Sequence, residues 1–355
     1  MPRRRQYIFA DRPHRGRSFL IGLMVVVLLL GAVLFTWNFA LNHTVSFHRQ
    51  VVTIANLPAK LENWSILHLS DLNGAYIGEA QAAVKKAIGT RTVSCIVLSG
   101  NMVGEAGDVQ PVLDLIRVLP PETPILLLPG DADPPLYATA AHSTLSPYAD
   151  WAATLQSHGV TILDEPVRFD REKATIWFVP ENLYSLDIAG TRKVYQNLLD
   201  TLNAQVGTLT PDQAAQKRNA EYQVARMDRI GEAIASMTAK HIQVVVSHMP
   251  LTREYVADAR LHARESDIFS MHHVSLVLAG GYCAGQWRLP WGGAVYAPGL
   301  GFFPEDHLLT GLGYLSGVWQ YISPGLGASP DYPFMPFRLF NSPGVSLLVL
   351  STSLQ

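Results

Sequence analysis

Cysteine occurs only twice in 355 residues, which excludes a disulfide framework as the source of stability. Cys95 sits in the apolar run Cys95-Ile96-Val97-Leu98, where it is expected as a small buried hydrophobe. Charge is also sparse: 16% of residues are charged, against 48% hydrophobic. Positive charge is concentrated at the start, where the first 17 residues hold six arginines and one aspartate, so the remainder is net acidic. An acidic main body excludes nucleic acid as the expected partner. No internal repeat and no low-complexity segment is present, which excludes a solenoid or a linker-like chain. The uncharged run Leu308 to Pro330 is broken by glycines and Pro324 and is not expected to span a membrane. Strands and loops near the site, resting on the membrane, are expected there instead.

The chain does carry one long apolar run. Phe19 to Leu41 has no charged residue and includes Val25-Val26-Val27-Leu28-Leu29-Leu30, enough for one helix across a bilayer. Trp37 and Phe39 suit an interfacial position near its end. A cleaved signal peptide is the competing reading, but the run exceeds a usual signal core and no small-x-small cleavage site follows. Arg3, Arg4, Arg5, Arg12, Arg15 and Arg17 precede the run, so the positive-inside bias puts the N-terminus in the cytoplasm. The expected organisation is a basic cytoplasmic tail over 1–18, a transmembrane helix over 19–41 and a connector over 42–60, within which Val51–Ile54 reads as a short entry strand ended by Leu57-Pro58. A main domain over 61–355 then lies outside the cytoplasm.

Within that domain apolar β-runs alternate with helical spacing. Ile66–Leu69, Cys95–Leu98 and Ile125–Leu128 read as strands; Glu79–Ile88 and Val109–Val118 between them read as helices. Such alternation implies parallel pairing, with ligands beyond the carboxyl ends of the strands. Tyr148–His158 reads as a further helix. Val160–Leu163 and Ala174–Val179 read as strands on either side of a turn at Asp170-Arg171-Glu172. A helical excursion over about 187–240 includes Thr210-Pro211-Asp212-Gln213, a capping-box start with proline in the first turn. Its helix either covers the sheet or offers a partner a docking surface; its narrow apolar stripe and lack of motifs point to contact rather than chemistry. Ile242–Val246 and Val274–Ala279 are further buried strands. Phe337–Phe340 and Val345–Leu350 close the sheet.

Five strand ends carry polar or glycine-rich motifs: Ser70-Asp71-Leu72-Asn73, Gly100-Asn101-Met102-Val103-Gly104, Gly130-Asp131-Ala132-Asp133, Ser247-His248-Met249-Pro250, and Gly280-Gly281-Tyr282-Cys283-Ala284-Gly285-Gln286-Trp287-Arg288-Leu289-Pro290. Their order and spacing resemble the motifs of the calcineurin-like metallophosphoesterases, in the membrane-anchored bacterial branch. The resemblance implies a four-layer α/β sandwich preceded by one transmembrane helix. In the family these loops hold two divalent metals, of manganese, iron or zinc type, that activate a water against a phosphate ester.

Measured against that pattern, most of the ligands are replaced here. Asp71 and His248 keep the family's residue type. Asn73 stands for a histidine, Asn101 for the bridging aspartate, Gly104 for a second aspartate and Asp131 for an asparagine. Gly281 and Cys283 stand for the last two histidines, and Ala132 for the histidine that protonates the leaving group. An amide at Asn101 offers one neutral oxygen where a bridging carboxylate gives an anionic oxygen to each metal. The resemblance therefore implies an inactive phosphoesterase fold without catalytic residues or cofactor, kept as a binding or structural subunit of a membrane complex. The alternative is a divergent hydrolase of phosphate esters or lipid-linked substrates, with a metal held by Asp71, Asp131, His248 and Cys283. Taken without metal, Asp71, Asp131 and Asp133 read as loop caps and His248 as a hydrogen-bonded histidine. Glu181 and Asp187 follow a strand and are placed to approach the site; His272 and His273 read as surface residues.

Overall fold

The computed structural model describes residues 15–138, 146–205, 207–332 and 337–353. Most of the basic tail, with Arg3, Arg4, Arg5 and Arg12, lies outside the described residues. Helix α1 (Arg15–Asn42) comes first. Its Phe19–Asn42 stretch of 24 residues has a mean hydropathy of 2.9 and is not buried in the protein. Length and composition suit a membrane anchor or a signal sequence alike. Its last turns touch the domain at one place. Asn42 Nδ2 donates to the Arg338 carbonyl at 2.8 Å, the Phe340 N–H donates to Asn38 Oδ1 at 2.7 Å, and the Trp37 and Phe340 rings lie 5.6 Å apart.

In chain order the domain then runs β1 (Ser46–Thr53), β2 (Ser65–Leu69), α2 (Ala82–Ile88), β3 (Cys95–Ser99), α3 (Gln110–Val118), β4 (Ile125–Leu128), α4 (Asp150–Ser157) and β5 (Val160–Ile162). There follow β6 (Val167–Arg171), β7 (Ala174–Pro180), α5 (Ile188–Asn203), α6 (Pro211–Ser236), β8 (Ile242–Val246), α7 (Arg253–His262) and β9 (Val274–Ala279). The last elements are a small hairpin of β10 (Tyr296–Ala297) and β11 (Gly301–Phe302), then β12 (Gly311–Leu315), β13 (Val318–Ile322) and β14 (Gly344–Ser351). They build two mixed six-stranded sheets, ordered β1-β14-β2-β3-β4-β5 and β12-β13-β9-β8-β7-β6.

Side-chain alternation sets the layers, because successive residues of a strand face opposite ways. Leu67, Leu69, Ile96, Leu98 and Leu127 face α2, α3 and α4, where Val84, Val112, Leu115 and Trp151 meet them. Ile66, Val97, Leu126 and Leu348 face the other way, against Ile176, Phe178, Val244 and Leu276 of the second sheet. Trp177 and Val179 on the second sheet's outer face meet Met227 and Ile230 of α6, and Val245 and Val277 meet Val256 of α7. The result is a helix–sheet–sheet–helix stack of four layers, as the sequence predicts. Fully burying each such Leu, Ile or Phe side chain contributes about 1.5–3 kcal/mol.

Two expectations change. Val160–Ile162 and Ala174–Pro180 are not partners across a turn, because β5 ends the first sheet and β7 lies in the second. The partner of β7 is β6, antiparallel to it from Val167↔Phe178 to Arg171↔Ala174. Phe337–Phe340 forms no sheet strand; it makes an isolated bridge from Leu339 to Trp287. Of the two readings of α6, the one in which it covers the sheet holds: its capping box is present as predicted, and Met227, Ile230 and, just past its end, Met237 are buried against the second sheet. Deleting it would expose that face. The entry strand expected at Val51–Ile54 is present and longer, since β1 pairs with β14 over its eight residues.

Candidate functional site

The five motif loops all leave the carboxyl ends of strands, β2, β3 and β4 in the first sheet and β8 and β9 in the second. Backbone bonds tie neighbouring loops within each sheet, and the Gly281 N–H, donating to Asp71 Oδ2 at 2.9 Å, joins the loops of the two sheets across the end of the sandwich. The Asp71 N–H donates to the Gly100 carbonyl at 3.0 Å, the Asn73 N–H to the Asn101 carbonyl at 2.7 Å and the Gly280 N–H to the His248 carbonyl at 2.9 Å. Positive φ occurs at Asp71 (54°), Asn73 (50°), Asn101 (52°) and Cys283 (49°). Left-handed backbone at residues other than glycine costs about 1–3 kcal/mol each and persists where its surroundings enforce it. Gly100 is required for another reason: a Cβ there would run into the His248 ring.

Asp71 is fully buried. Its Oδ2 accepts from Ser70 Oγ at 2.5 Å and from the Gly281 N–H at 2.9 Å. Burial pushes its pKa up, against the opposing pull of the His248 charge, the Ser70 and Gly281 bonds and the Arg338 charge. His248 Nε2 lies 2.8 Å from Asp131 Oδ1. Burial works against the imidazolium, but the bond to Asp131 and the charges of Asp71 and Asp131 outweigh it and raise the His248 pKa. The same bond, and lesser help from Asn101, holds the Asp131 carboxyl down at about 2. Asn101 Oδ1 accepts from the Ala132 N–H at 2.8 Å. Asn73 Nδ2 reaches only the Asp71 carbonyl, at 3.4 Å, and the buried Asn73 Oδ1 has no partner. Cys283 is fully buried. Burial first, and the Asp71 charge second, push its thiol pKa well up, so without a metal it is no ready nucleophile.

The remaining candidates separate. Asp133 ties loops together: Oδ1 accepts from the N–H groups of Val103 at 2.9 Å and Gly104 at 3.0 Å, and Oδ2 from Gly130 at 2.9 Å. Glu181 accepts from Tyr255 Oη and lines a cavity of about 300 Å³ together with His248 and Met249. Asp187 is remote in role, capping α5 by accepting from the Gly190 N–H at 2.9 Å. His272 and His273 bond to the Arg260 and Glu265 carbonyls, outside the site.

Two residues that the motifs do not mark shape the pocket. Arg338 is buried and donates to the carbonyls of Gly327 at 2.6 Å and Pro324 at 2.8 Å. Its charge lowers the pKa of both Asp71 and Cys283. The available signal was that Arg338 is the sole charged residue after Asp331. Met249 is the other: its sulfur occupies the space into which a side chain at Gly281 would project.

The donor set does not fit a pair of metals. Asp131 and His248 are bonded to each other, Asp71 to Ser70 and Gly281, and Asn101 to Ala132. Among the described residues no three His, Cys, Asp or Glu side chains converge as a metal-holding group. What the pocket presents is the bonded pair of Asp131 and His248, the buried carboxyl of Asp71 and the buried guanidinium of Arg338.

No protein-family model and no curated protein matches the chain. Among solved structures, that of phosphopantetheinyl hydrolase from Mycobacterium tuberculosis is similar over 75% of this chain and 91% of its own, at 12% identity and a TM-score of 0.36. A likeness that weak carries no argument, and the four-layer arrangement stands on the pairings above.

Proposed function

We propose that this chain is a single-pass membrane protein whose extracytoplasmic domain is a calcineurin-like phosphoesterase fold without two-metal chemistry. It serves as a binding or structural subunit of a membrane complex. The observation that carries this reading is the direct 2.8 Å bond between His248 and Asp131, two positions where the resemblance would place ligands of one metal. Asp71, which would serve the other, is likewise occupied by Ser70 and Gly281. Ala132, in the general-acid place, offers no proton, and loss of a general acid alone typically costs about 10²–10⁴ in rate. The anchor rests on the apolar α1, and the orientation on the arginines that precede it.

The test is turnover of a generic phosphodiester by the purified full chain with manganese, iron or zinc added. Activity at background, unchanged in Asp71→Ala and His248→Ala, is expected. Metal-dependent turnover lost in both variants would establish the second reading, a divergent hydrolase. That reading is favoured by the unpartnered Asn73 Oδ1 and by the left-handed backbone kept at Asp71, Asn73 and Asn101.

A further inference from the structure

We infer that the surface formed by Leu289, Trp291, Leu300, Phe302 and Phe303 lies in the interfacial zone of a lipid bilayer, beside the point where α1 leaves the domain; this rests on the anchor reading above. Large apolar side chains exposed on the domain gather here. Trp291 is 84% exposed, Phe303 68% and Phe302 66%, with Leu289 and Leu300 beside them in the same two loops. The Tyr296 and Phe302 rings lie 5.2 Å apart, so the β10–β11 hairpin presents its aromatics together. Exposed apolar patches of this kind mark interaction or membrane surfaces.

Three observations point to lipid rather than to a second copy of the chain. First, the patch is continuous with the base of α1. The Arg288 N–H donates to the Leu339 carbonyl at 2.9 Å and the Leu339 N–H to the Gln286 carbonyl at 3.0 Å. The neighbouring Arg338 and Phe340 hold Asn42 and Asn38. The loop bearing Leu289 and Trp291 therefore lies one backbone spacing from residues bonded to the end of the apolar helix. If that helix crosses a bilayer, its domain end fixes these residues near the bilayer surface. Second, residues 289–304 contain no charged side chain at all, so nothing there resists entry into the interface. Third, the most exposed residues of the patch are aromatic and of interfacial type, Trp291, Phe302 and Phe303. The absence of Lys and Arg from this stretch means that insertion should not need anionic lipid.

The test uses the full chain in phosphatidylcholine vesicles, with an environment-sensitive fluorophore on Trp291→Cys, Phe302→Cys or Phe303→Cys. Cys95 and Cys283 are buried and stay unlabelled. Leu261→Cys on α7, at the other end of the strands, is the aqueous control, and Val26→Cys within α1 reports the anchor. The patch labels should show blue-shifted emission, quenching by doxyl-labelled lipid and protection from iodide, while Leu261→Cys shows the reverse. Patch labels open to iodide, with Val26→Cys quenched by lipid, would overturn the inference and leave the anchor standing. Patch labels shielded from both quenchers would overturn it in favour of a protein partner or a second copy. Patch labels quenched by lipid while Val26→Cys is open to iodide would support the inference and remove the anchor reading. All labels open to iodide would remove both.

Discussion

Asp71 and Asp164 are both buried carboxylates, yet their partners come from opposite sources. Asp164 Oδ2 accepts from Tyr137 Oη at 2.9 Å, Tyr148 Oη at 3.3 Å and Tyr222 Oη at 2.8 Å. Arg226 Nε lies 3.4 Å from it and donates to the Asp164 carbonyl at 2.8 Å. These side chains arrive from separate parts of the chain and fasten α6 to the loops beyond β4 and β5. Asp71, in contrast, is held by its neighbour Ser70 and a backbone N–H. One cluster is a staple between elements, built from side chains that have no other task. The other is a loop arrangement with left-handed backbone at Asp71, Asn73 and Asn101. Burial of a polar group therefore says little about function until its partners are named.

The largest expected effect follows from the staple. Asp164→Ala strands three hydroxyls and the Arg226 charge, and breaking a buried pair of this kind costs about 3–5 kcal/mol. Denaturant unfolding followed by tryptophan fluorescence measures it; a loss under about 1 kcal/mol would make α6 an appendage after all.

Gly281→His, which restores a residue of the family pattern, is expected next. The backbone there has φ of 90° and Met249 fills the space, so overpacking should cost about 1–3 kcal/mol. Met249→Ala in the same chain should recover part of the loss. A variant as stable as the parent would show that the pocket has room for its missing ligand.

His68 gives a pH dependence of its own. It lies between the sheets, with Nε2 2.7 Å from Ser99 Oγ, and burial lowers its pKa from 6.5 to about 3. Above pH 6.5 the ring is neutral in both states and contributes no slope. Below it the unfolded chain takes up a proton that the folded chain refuses. Stability should therefore fall by about 1.4 kcal/mol per pH unit, down to the folded pKa. His68→Gln should flatten that part of the profile; an unchanged slope would place the acid sensitivity elsewhere. The smallest effect belongs to Asp71→Asn. An amide oxygen still accepts from Ser70 and Gly281, so a loss of about 1 kcal/mol or less is expected; a loss near that of Asp164→Ala would erase the contrast.

Much of the fold was legible because its central strands are short apolar runs ended by glycine, proline or small polar residues. Ile66–Leu69, Cys95–Leu98, Ile242–Val246 and Val274–Ala279 all lie within observed strands. The strand β6 was missed because Val167–Arg171 is a half-exposed edge with three charged residues, and its neighbour in sequence, β5, belongs to the other sheet. The motif residues were legible by order and spacing, and the loops do converge. What spacing does not carry is partnership: that Asp131 faces His248, that Met249 fills the space at Gly281, or that Arg338 returns from the far end of the chain. The Asp164 staple was invisible for the same reason, since its tyrosines stand at 137, 148 and 222 with no shared motif.

The central claim is that the strand-end pocket leaves no pair of metal sites. Elemental analysis of the purified full chain, after loading with manganese or zinc and removal of free ion, tests it most directly. The account predicts well below two metals per chain, with no change in Asp71→Ala or His248→Ala. Two metals per chain, lost in both variants, would contradict it.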